Sequence, residues 1–72
     1  MPFPPIDVDD IFTYHAPHGD QPERYEKIRA AAKAFAHVII DNTKPCADQA
    51  AAIRLLRECV MTSNASIALE KN

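Results

Sequence analysis

The chain has 72 residues and a formal net charge of −2, and 47% of its residues are hydrophobic while only 7% are aromatic. A chain of this length holds one small domain, whose core buries little surface unless disulfides, metal or self-association add stability. The acidic balance argues against a general binder of duplex DNA, because such proteins depend on many Lys and Arg side chains. No apolar run approaches the roughly 18 residues that a membrane span requires. We therefore expect one self-associating domain, residues 1–72, without a DNA or membrane partner.

The cysteines indicate the compartment. Cys46 and Cys59 are the only two, their spacing is not CxxC, and no signal peptide accompanies them. A disulfide framework is therefore disfavoured, and a reducing cytoplasm fits better. We expect two buried free thiols.

Residues 1–19 are predicted to form an N-terminal arm. The prolines of the arm are Pro2, Pro4, Pro5 and Pro17. They forbid a regular helix across much of this stretch, although residues 9–13 can form one helical turn or a short extended piece. The acidic residues Asp7, Asp9 and Asp10 indicate a solvated segment.

A first long helix is predicted over residues 21–42. The sequence GDQPE marks its start: Gly19 supplies a turn, Asp20 caps the helix, Glu23 is the reciprocal capping partner and Pro22 lies in the first turn. An apolar stripe then steps by three and four residues. Its members are Tyr25, Ile28, Ala32, Phe35 and Ile39. The helix ends near residue 42, because Pro45 discourages helical geometry at Lys44.

A second long helix is predicted over residues 46–69, capped by Asp48 or by Thr43. Its stripe consists of Ile53, Leu56, Val60, Ser63 and Ile67. The short link makes the two helices antiparallel neighbours, so the predicted fold is an all-α, two-helix hairpin with an irregular or short helical arm. A second, weakly apolar stripe lies beside the first one on this helix. It consists of Leu55, Cys59, Thr62, Ser66 and Leu69. We interpret that extra face as a contact in a helical homo-oligomer.

The sequence does not indicate an enzyme. It lacks a Gly-rich phosphate loop, a zinc motif and a plausible Ser-His-Asp set, so no catalytic residue is predicted. His15 and His18 have a metal-compatible spacing, but Pro17 between them disfavours one helical face and two exposed loop histidines are expected instead.

A row of basic residues on the first helix is more informative. Tyr25, Arg29 and Lys33 follow one another at four-residue spacing, which presents two cations on one side. Neither cation has an acid four residues before it. Cations near a loop aromatic such as Tyr14 suit an anionic, base-containing ligand, because the ring stacks on a base while the cation takes a phosphate. Ordinary surface charge is the alternative interpretation.

Three other arginines are candidates of lower rank. Arg24 lies towards the neighbouring face of the first helix and is included in the predicted ligand set. Arg54 and Arg57 on the second helix are weaker, because Glu58 is adjacent and no aromatic is close in sequence.

Two segments of the chain are distinctive: FTYHAPHGDQPERYEKIRAAAKAFA and, after a Pro-containing link, AIRLLRECVMTSNASIAL. With these segments the chain resembles the phage anti-CBASS sponge family, whose members sequester the cyclic oligonucleotide messengers of bacterial antiphage signalling. The resemblance covers residues 12–69. Its most specific parts are TYH-x-P at 13–17, ERYE-x-IR at 23–29 and VM-x-x-NASIA at 60–68.

The resemblance implies an all-helical protomer in a homo-oligomer, typically a hexamer built from interlocking dimers. Cyclic dinucleotides such as cyclic GMP-AMP bind between protomers and are withheld, not cut, and some members also bind cyclic trinucleotides. No cofactor or metal is implied. The family's stacking Tyr and its phosphate-binding basic residue match Tyr14 and Arg29 here. Two positions depart from the family pattern: many relatives carry an aromatic residue where this chain has Thr62, and a basic residue often stands where this chain has Leu69. The first departure would loosen subunit packing. The second puts the trinucleotide site in doubt more than the dinucleotide site.

The predicted ligand-binding residues are thus Tyr14, His15, Arg24, Arg29 and Lys33. In this hypothesis the arm is a lid that exchanges between subunits and lays Tyr14 across a base. His15 either donates to a phosphate or holds the arm against the first helix. Two other functions stay open at this point: a small helical adaptor that binds a host or phage protein through its second apolar stripe, and a nucleic-acid-binding helical pair, which the acidic balance disfavours.

Overall fold

The computed structural model describes residues 3 and 5–70, and this part of the chain contains helices and no strand. The helices are α1 (Val8–Ile11), α2 (Gln21–Asn42) and α3 (Ala47–Ala68). Only α2 and α3 pack against each other, so they form the hairpin and α1 stays apart from both within the described residues. The prediction of an all-α hairpin is confirmed. The predicted arm at 1–19 includes residues 1, 2 and 4, which lie outside the described residues, as do residues 71 and 72.

The arm contains a single helical turn rather than an extended piece. Asp7 caps α1, since its Oδ1 accepts a hydrogen bond of 3.2 Å from the Asp10 amide. Thr13 Oγ1 donates to the Asp9 carbonyl at 2.5 Å and closes the other end. The acidic run is therefore more than a solvated segment, because Asp7 has a structural role and Asp10 is half-buried.

The start of α2 differs from the predicted capping box. Asp20 occupies the N-cap position, but its φ of −89° and ψ of 4° are not extended and its side chain makes no capping hydrogen bond. The Asp20 carboxylate instead lies 3.3 Å from Arg24 Nε. Gly19 has a φ of +57°, in the left-handed region that favours glycine, and thus forms the predicted turn.

The N-terminus of α3 is capped by a residue that was not predicted for this role. Cys46 Sγ accepts a hydrogen bond of 3.4 Å from the Gln49 amide, so the expectation of Asp48 or Thr43 as the cap is wrong. Thr43 terminates α2 instead, because its Oγ1 donates to the Ile39 carbonyl at 2.7 Å. Gln49 Nε2 donates to the same Thr43 Oγ1 at 2.9 Å, which fastens the link between the two helices.

The interior of the hairpin is thin. Among the described residues only Ile67 and Gln21 are buried, and Phe35 of the predicted stripe is 55% exposed. The other members of the two facing stripes are half-buried: Tyr25, Ile28, Ala32, Ile39, Ile53, Leu56, Val60 and Ser63. The prediction that the two thiols are buried is wrong, because both are exposed. Cys46 lies in the link between the helices, and Cys59 lies on a side of α3 that α2 leaves open.

The exposed area is large for the mass of the chain. The accessible surface is 6166 Å², whereas a compact protein of 8.0 kDa exposes about 4,500 Å². Leu55 and Met61 on α3 are 58% and 65% exposed. In the described part of the chain, no helix has the length and apolarity needed to cross a membrane. A single copy of the chain thus leaves much of its apolar surface uncovered.

Candidate ligand-binding site

A groove with a cationic rim runs between α2 and α3. It encloses about 360 Å³, and we call it the basic groove. Its lining residues are Arg29, Ala32, Lys33, Ala36, Ile53, Leu56, Arg57, Val60 and Met61. The small alanines of α2 keep the floor open, while the aliphatic side chains of α3 make it apolar.

Three cationic side chains line the basic groove. Arg29 and Lys33 are one helical turn apart on α2, and Arg57 comes from α3. All three are exposed, and within residues 3 and 5–70 none of them forms an ion pair. Uncompensated cations along an apolar floor suit an anion that also has a flat, apolar face.

Arg57, a weaker candidate in the sequence, lines the basic groove together with the two cations that come from α2. Glu58 follows it in the chain, but the two side chains line different grooves. Successive residues on a helix point about 100° apart, so sequence adjacency does not mean charge neutralisation. Arg57 follows Leu56 directly and lies three residues before Val60, and both of these belong to the stripe that faces α2. This spacing indicates on which side of α3 Arg57 lies.

Arg24 lies outside the basic groove and is held by carboxylates. Its Nη1 donates to Glu70 Oε2 at 2.7 Å, and its Nη2 pairs with Glu70 Oε1. Hydrogen bonding to Glu70 raises the pKa of the Arg24 guanidinium, and hydrogen bonds from Arg24 lower the pKa of Glu70 to about 2. Glu70 therefore stays ionised across the physiological range, and the predicted ligand residue Arg24 already has an anionic partner.

Gln21 closes the open end of the hairpin. Its Nε2 donates to the Ile67 carbonyl at 2.9 Å, and its Oε1 accepts from the His18 amide at 3.2 Å. Gln21 is only 2% exposed, so these bonds replace water that the amide has lost. We call Gln21, Arg24 and Glu70 the clasp. No local pattern in the sequence predicts the clasp, because its partners are separated by 46 residues or more.

The arm residues of the predicted site lie apart from the basic groove. Tyr14 is 83% exposed and is not among the residues that line that groove. His15 Nε2 lies 2.8 Å from the Asp10 carbonyl oxygen, to which it can only donate, and 3.5 Å from Asp10 Oδ1. His15 therefore ties the segment that follows α1 back to α1, and neither of these polar contacts of His15 reaches α2. The structure brings together Arg29 and Lys33, but not Tyr14, His15 or Arg24.

A second groove lies on another side of the hairpin. It encloses about 750 Å³, and we call it the Cys59 groove. Its lining residues are Ile28, Leu55, Glu58, Cys59, Thr62, Ser63, Ser66 and Ile67. These include four members of the second apolar stripe that the sequence predicted, namely Leu55, Cys59, Thr62 and Ser66. Among the residues that the structure describes, the Cys59 groove shares none with the basic groove and contains no cation.

Comparison with known protein families gives a match over almost the whole chain. The profile of the Acb2/Tad1 hairpin domain matches residues 4–68. The chain belongs to this family. Acb2/Tad1 hairpin proteins are the anti-CBASS cyclic-oligonucleotide sponges, a family of binding proteins rather than enzymes, and the resemblance seen in the sequence is thereby confirmed. Searches of curated proteins and of solved structures gave no match.

Proposed function

We propose that the protein is a non-catalytic sponge for cyclic dinucleotides such as cyclic GMP-AMP. It withholds these second messengers of antiphage (CBASS) signalling in the cytoplasm of an infected bacterium and so prevents the activation of host immune effectors. The observation that carries the proposal is the family match over residues 4–68. In this account the messenger is released unchanged, because the chain binds it and does not cut it.

The chemistry of the described residues supports a ligand of this class. A cyclic dinucleotide carries two phosphates and two flat bases. Arg29 and Lys33 supply positive charge that no other described residue compensates, and Tyr14 supplies an exposed ring. Stacking contributes about 1 to 3 kcal/mol per base and a charge-assisted hydrogen bond about 1.5 to 3 kcal/mol, which together suffice for nanomolar binding after association costs.

Self-association is part of the proposed mechanism. Because Tyr14 does not line the basic groove of its own chain, the Tyr14 of a second copy completes the site. Two symmetry-related copies then present a twofold pocket to a nearly twofold ligand. We propose a homo-oligomer, a hexamer built from dimers, in which the Cys59 groove is covered by other subunits. The area that one chain exposes above the expectation for its mass, about 1,700 Å², is about twice the roughly 800 Å² that each partner buries in a standard interface, which leaves room for more than one subunit contact.

Replacement of Tyr14 tests the proposed function. Titration calorimetry with cyclic GMP-AMP is expected to show at least tenfold weaker binding by Tyr14→Ala, because each lost stack removes about 1 to 3 kcal/mol. Phe12→Ala is the matched control, since Phe12 is an equally exposed aromatic of the same arm, and Tyr14→Phe keeps the ring. Both are expected to bind like the natural protein. Unchanged affinity in Tyr14→Ala contradicts the stacking role.

A protein-binding adaptor is the second candidate function. The Cys59 groove favours it, because an exposed, largely uncharged groove along a helix can accept the apolar face of another helix. The two functions differ in what covers this groove. A free protein that already forms closed oligomers over the Cys59 groove leaves no room for an adaptor partner there.

A further inference from the structure

We infer that Arg57 of α3 binds a phosphate of the cyclic dinucleotide, so that the anion is held from both helices of the hairpin. The inference rests on the proposed function and extends it to a residue outside the predicted ligand set. Arg57 lines the basic groove opposite the α2 cations Arg29 and Lys33. The site is therefore a cradle across the hairpin and not a row along one helix.

The charge around Arg57 supports this role. Glu58, the nearest acid in sequence, lines the Cys59 groove. Within the described residues Arg57 forms no ion pair, whereas Arg24 is held by two carboxylates. An anion that enters the basic groove thus meets a guanidinium whose donors are not used by another side chain, and a guanidinium can bind phosphate oxygens in a bidentate manner.

The floor of the groove determines which anion fits. The basic groove is also lined by Ala32, Ala36 and Val60, whose side chains offer no hydrogen-bond partner. A small inorganic anion gains nothing from these groups, whereas a ligand with a flat base covers them and removes apolar surface from water. Binding across both helices also means that the ligand stabilises the closed hairpin, because it binds the folded chain and not the unfolded one.

The test compares three variants by calorimetry with cyclic GMP-AMP. Arg57→Gln removes the charge, Arg57→Lys keeps it without the guanidinium, and Arg54→Gln removes an exposed α3 cation that does not line the groove. We expect Arg57→Gln to bind at least about tenfold more weakly, as for the loss of one hydrogen bond to a charged group. Arg57→Lys should fall between Arg57→Gln and the natural protein, and Arg54→Gln should match the natural protein. The affinity of Arg57→Gln should also depend less on salt concentration.

Each outcome decides between the inference and a simpler explanation. Equal affinity of Arg57→Gln and the natural protein overturns the inference, while Tyr14→Ala independently reports on the proposed function. Equal losses in Arg57→Gln and Arg54→Gln also overturn it, since they indicate only a general effect of net charge. Native mass spectrometry of each variant identifies a change in assembly, and weak binding by both Arg57 variants together with altered assembly assigns Arg57 a structural role instead. If the natural protein ignores cyclic GMP-AMP, the proposed function and this inference both fall.

Discussion

The basic groove and the Cys59 groove are built from the same two helices but differ in charge. The basic groove has three cations around an apolar floor of about 360 Å³. The Cys59 groove encloses about 750 Å³ and carries hydroxyl groups, a thiol, aliphatic side chains and, among its described residues, one carboxylate, that of Glu58. Rotation by less than half a turn around α3 separates Arg57 from Cys59. One pair of helices can therefore offer two kinds of surface, the basic groove for a small anion and the Cys59 groove for a polypeptide.

The physical reason for this division is the cost of removing charge from water. Subunit interfaces have cores that are depleted in charged residues, because buried charges lose hydration that few partners restore. The three cations of the basic groove therefore suit an anionic ligand that supplies the compensating charge. The Cys59 groove has no such requirement beyond Glu58, which makes it the better subunit contact.

A charge placed in the Cys59 groove should have the largest effect. Leu55 is 58% exposed in the single chain, so Leu55→Glu leaves the hairpin intact but buries an unpaired carboxylate wherever another subunit covers the groove. We expect native mass spectrometry to show a monomer in place of the oligomer. Arg54→Glu adds an acid at the preceding position, outside both grooves, and should assemble normally. An unchanged oligomer in Leu55→Glu contradicts the assignment of this groove.

The alkylation rates of the two cysteines should show a smaller effect, and this measurement requires no mutation. Cys46 and Cys59 are both exposed in the single chain, but only Cys59 lies in the groove that assembly is proposed to cover. Since alkylation requires access to the thiol, iodoacetamide should modify Cys46 at least about tenfold faster than Cys59 in the assembled protein. The dissociated Leu55→Glu variant should label at both sites. Equal rates in the natural oligomer place the subunit contact elsewhere.

Loss of a clasp hydrogen bond should have the smallest effect of the three changes, because it lowers the stability of the whole hairpin and does not alter the lining of either groove. Gln21→Ala removes the bond from Gln21 Nε2 to the Ile67 carbonyl, which then keeps only its bond from the Glu70 amide, and this loss costs about 0.5 to 1.5 kcal/mol of unfolding free energy. Gln49→Ala, which removes a partly exposed bond at the other end of the hairpin, should cost less. Thermal unfolding by circular dichroism measures both. A larger loss in Gln49→Ala than in Gln21→Ala contradicts the importance of the clasp for closure.

The sequence predicted what depends on local periodicity. Three-and-four spacing indicated both long helices, and the helices found at Gln21–Asn42 and Ala47–Ala68 start and end within one residue of the expectation. The second stripe on α3 was also visible, because the same spacing repeats there. The helix caps were not predicted correctly. The Asp20 carboxylate pairs with Arg24 and does not cap α2, and the Cys46 thiol caps α3 in place of a hydroxyl or carboxylate.

The candidate site was less predictable than the fold for three physical reasons. The pairing of Arg24 with Glu70 joins residues 46 positions apart, so nothing in the neighbourhood of Arg24 reveals that its charge is already compensated. The position of Arg57 in the basic groove depends on helix geometry, because Glu58 follows it in sequence but lines the Cys59 groove. In our proposal Tyr14 completes the basic groove of a second copy of the chain, and the sequence of one chain does not show how two copies pack together.

The most direct test of the central claim is native mass spectrometry of the purified protein with and without cyclic GMP-AMP, followed by recovery of the ligand. We predict a closed homo-oligomer that retains cyclic dinucleotide in a fixed ratio and releases it chemically unchanged on denaturation. A panel that includes other cyclic di- and trinucleotides shows the range of ligands. A monomer, an oligomer that retains no cyclic nucleotide, or a recovered ligand that has been cleaved contradicts the account.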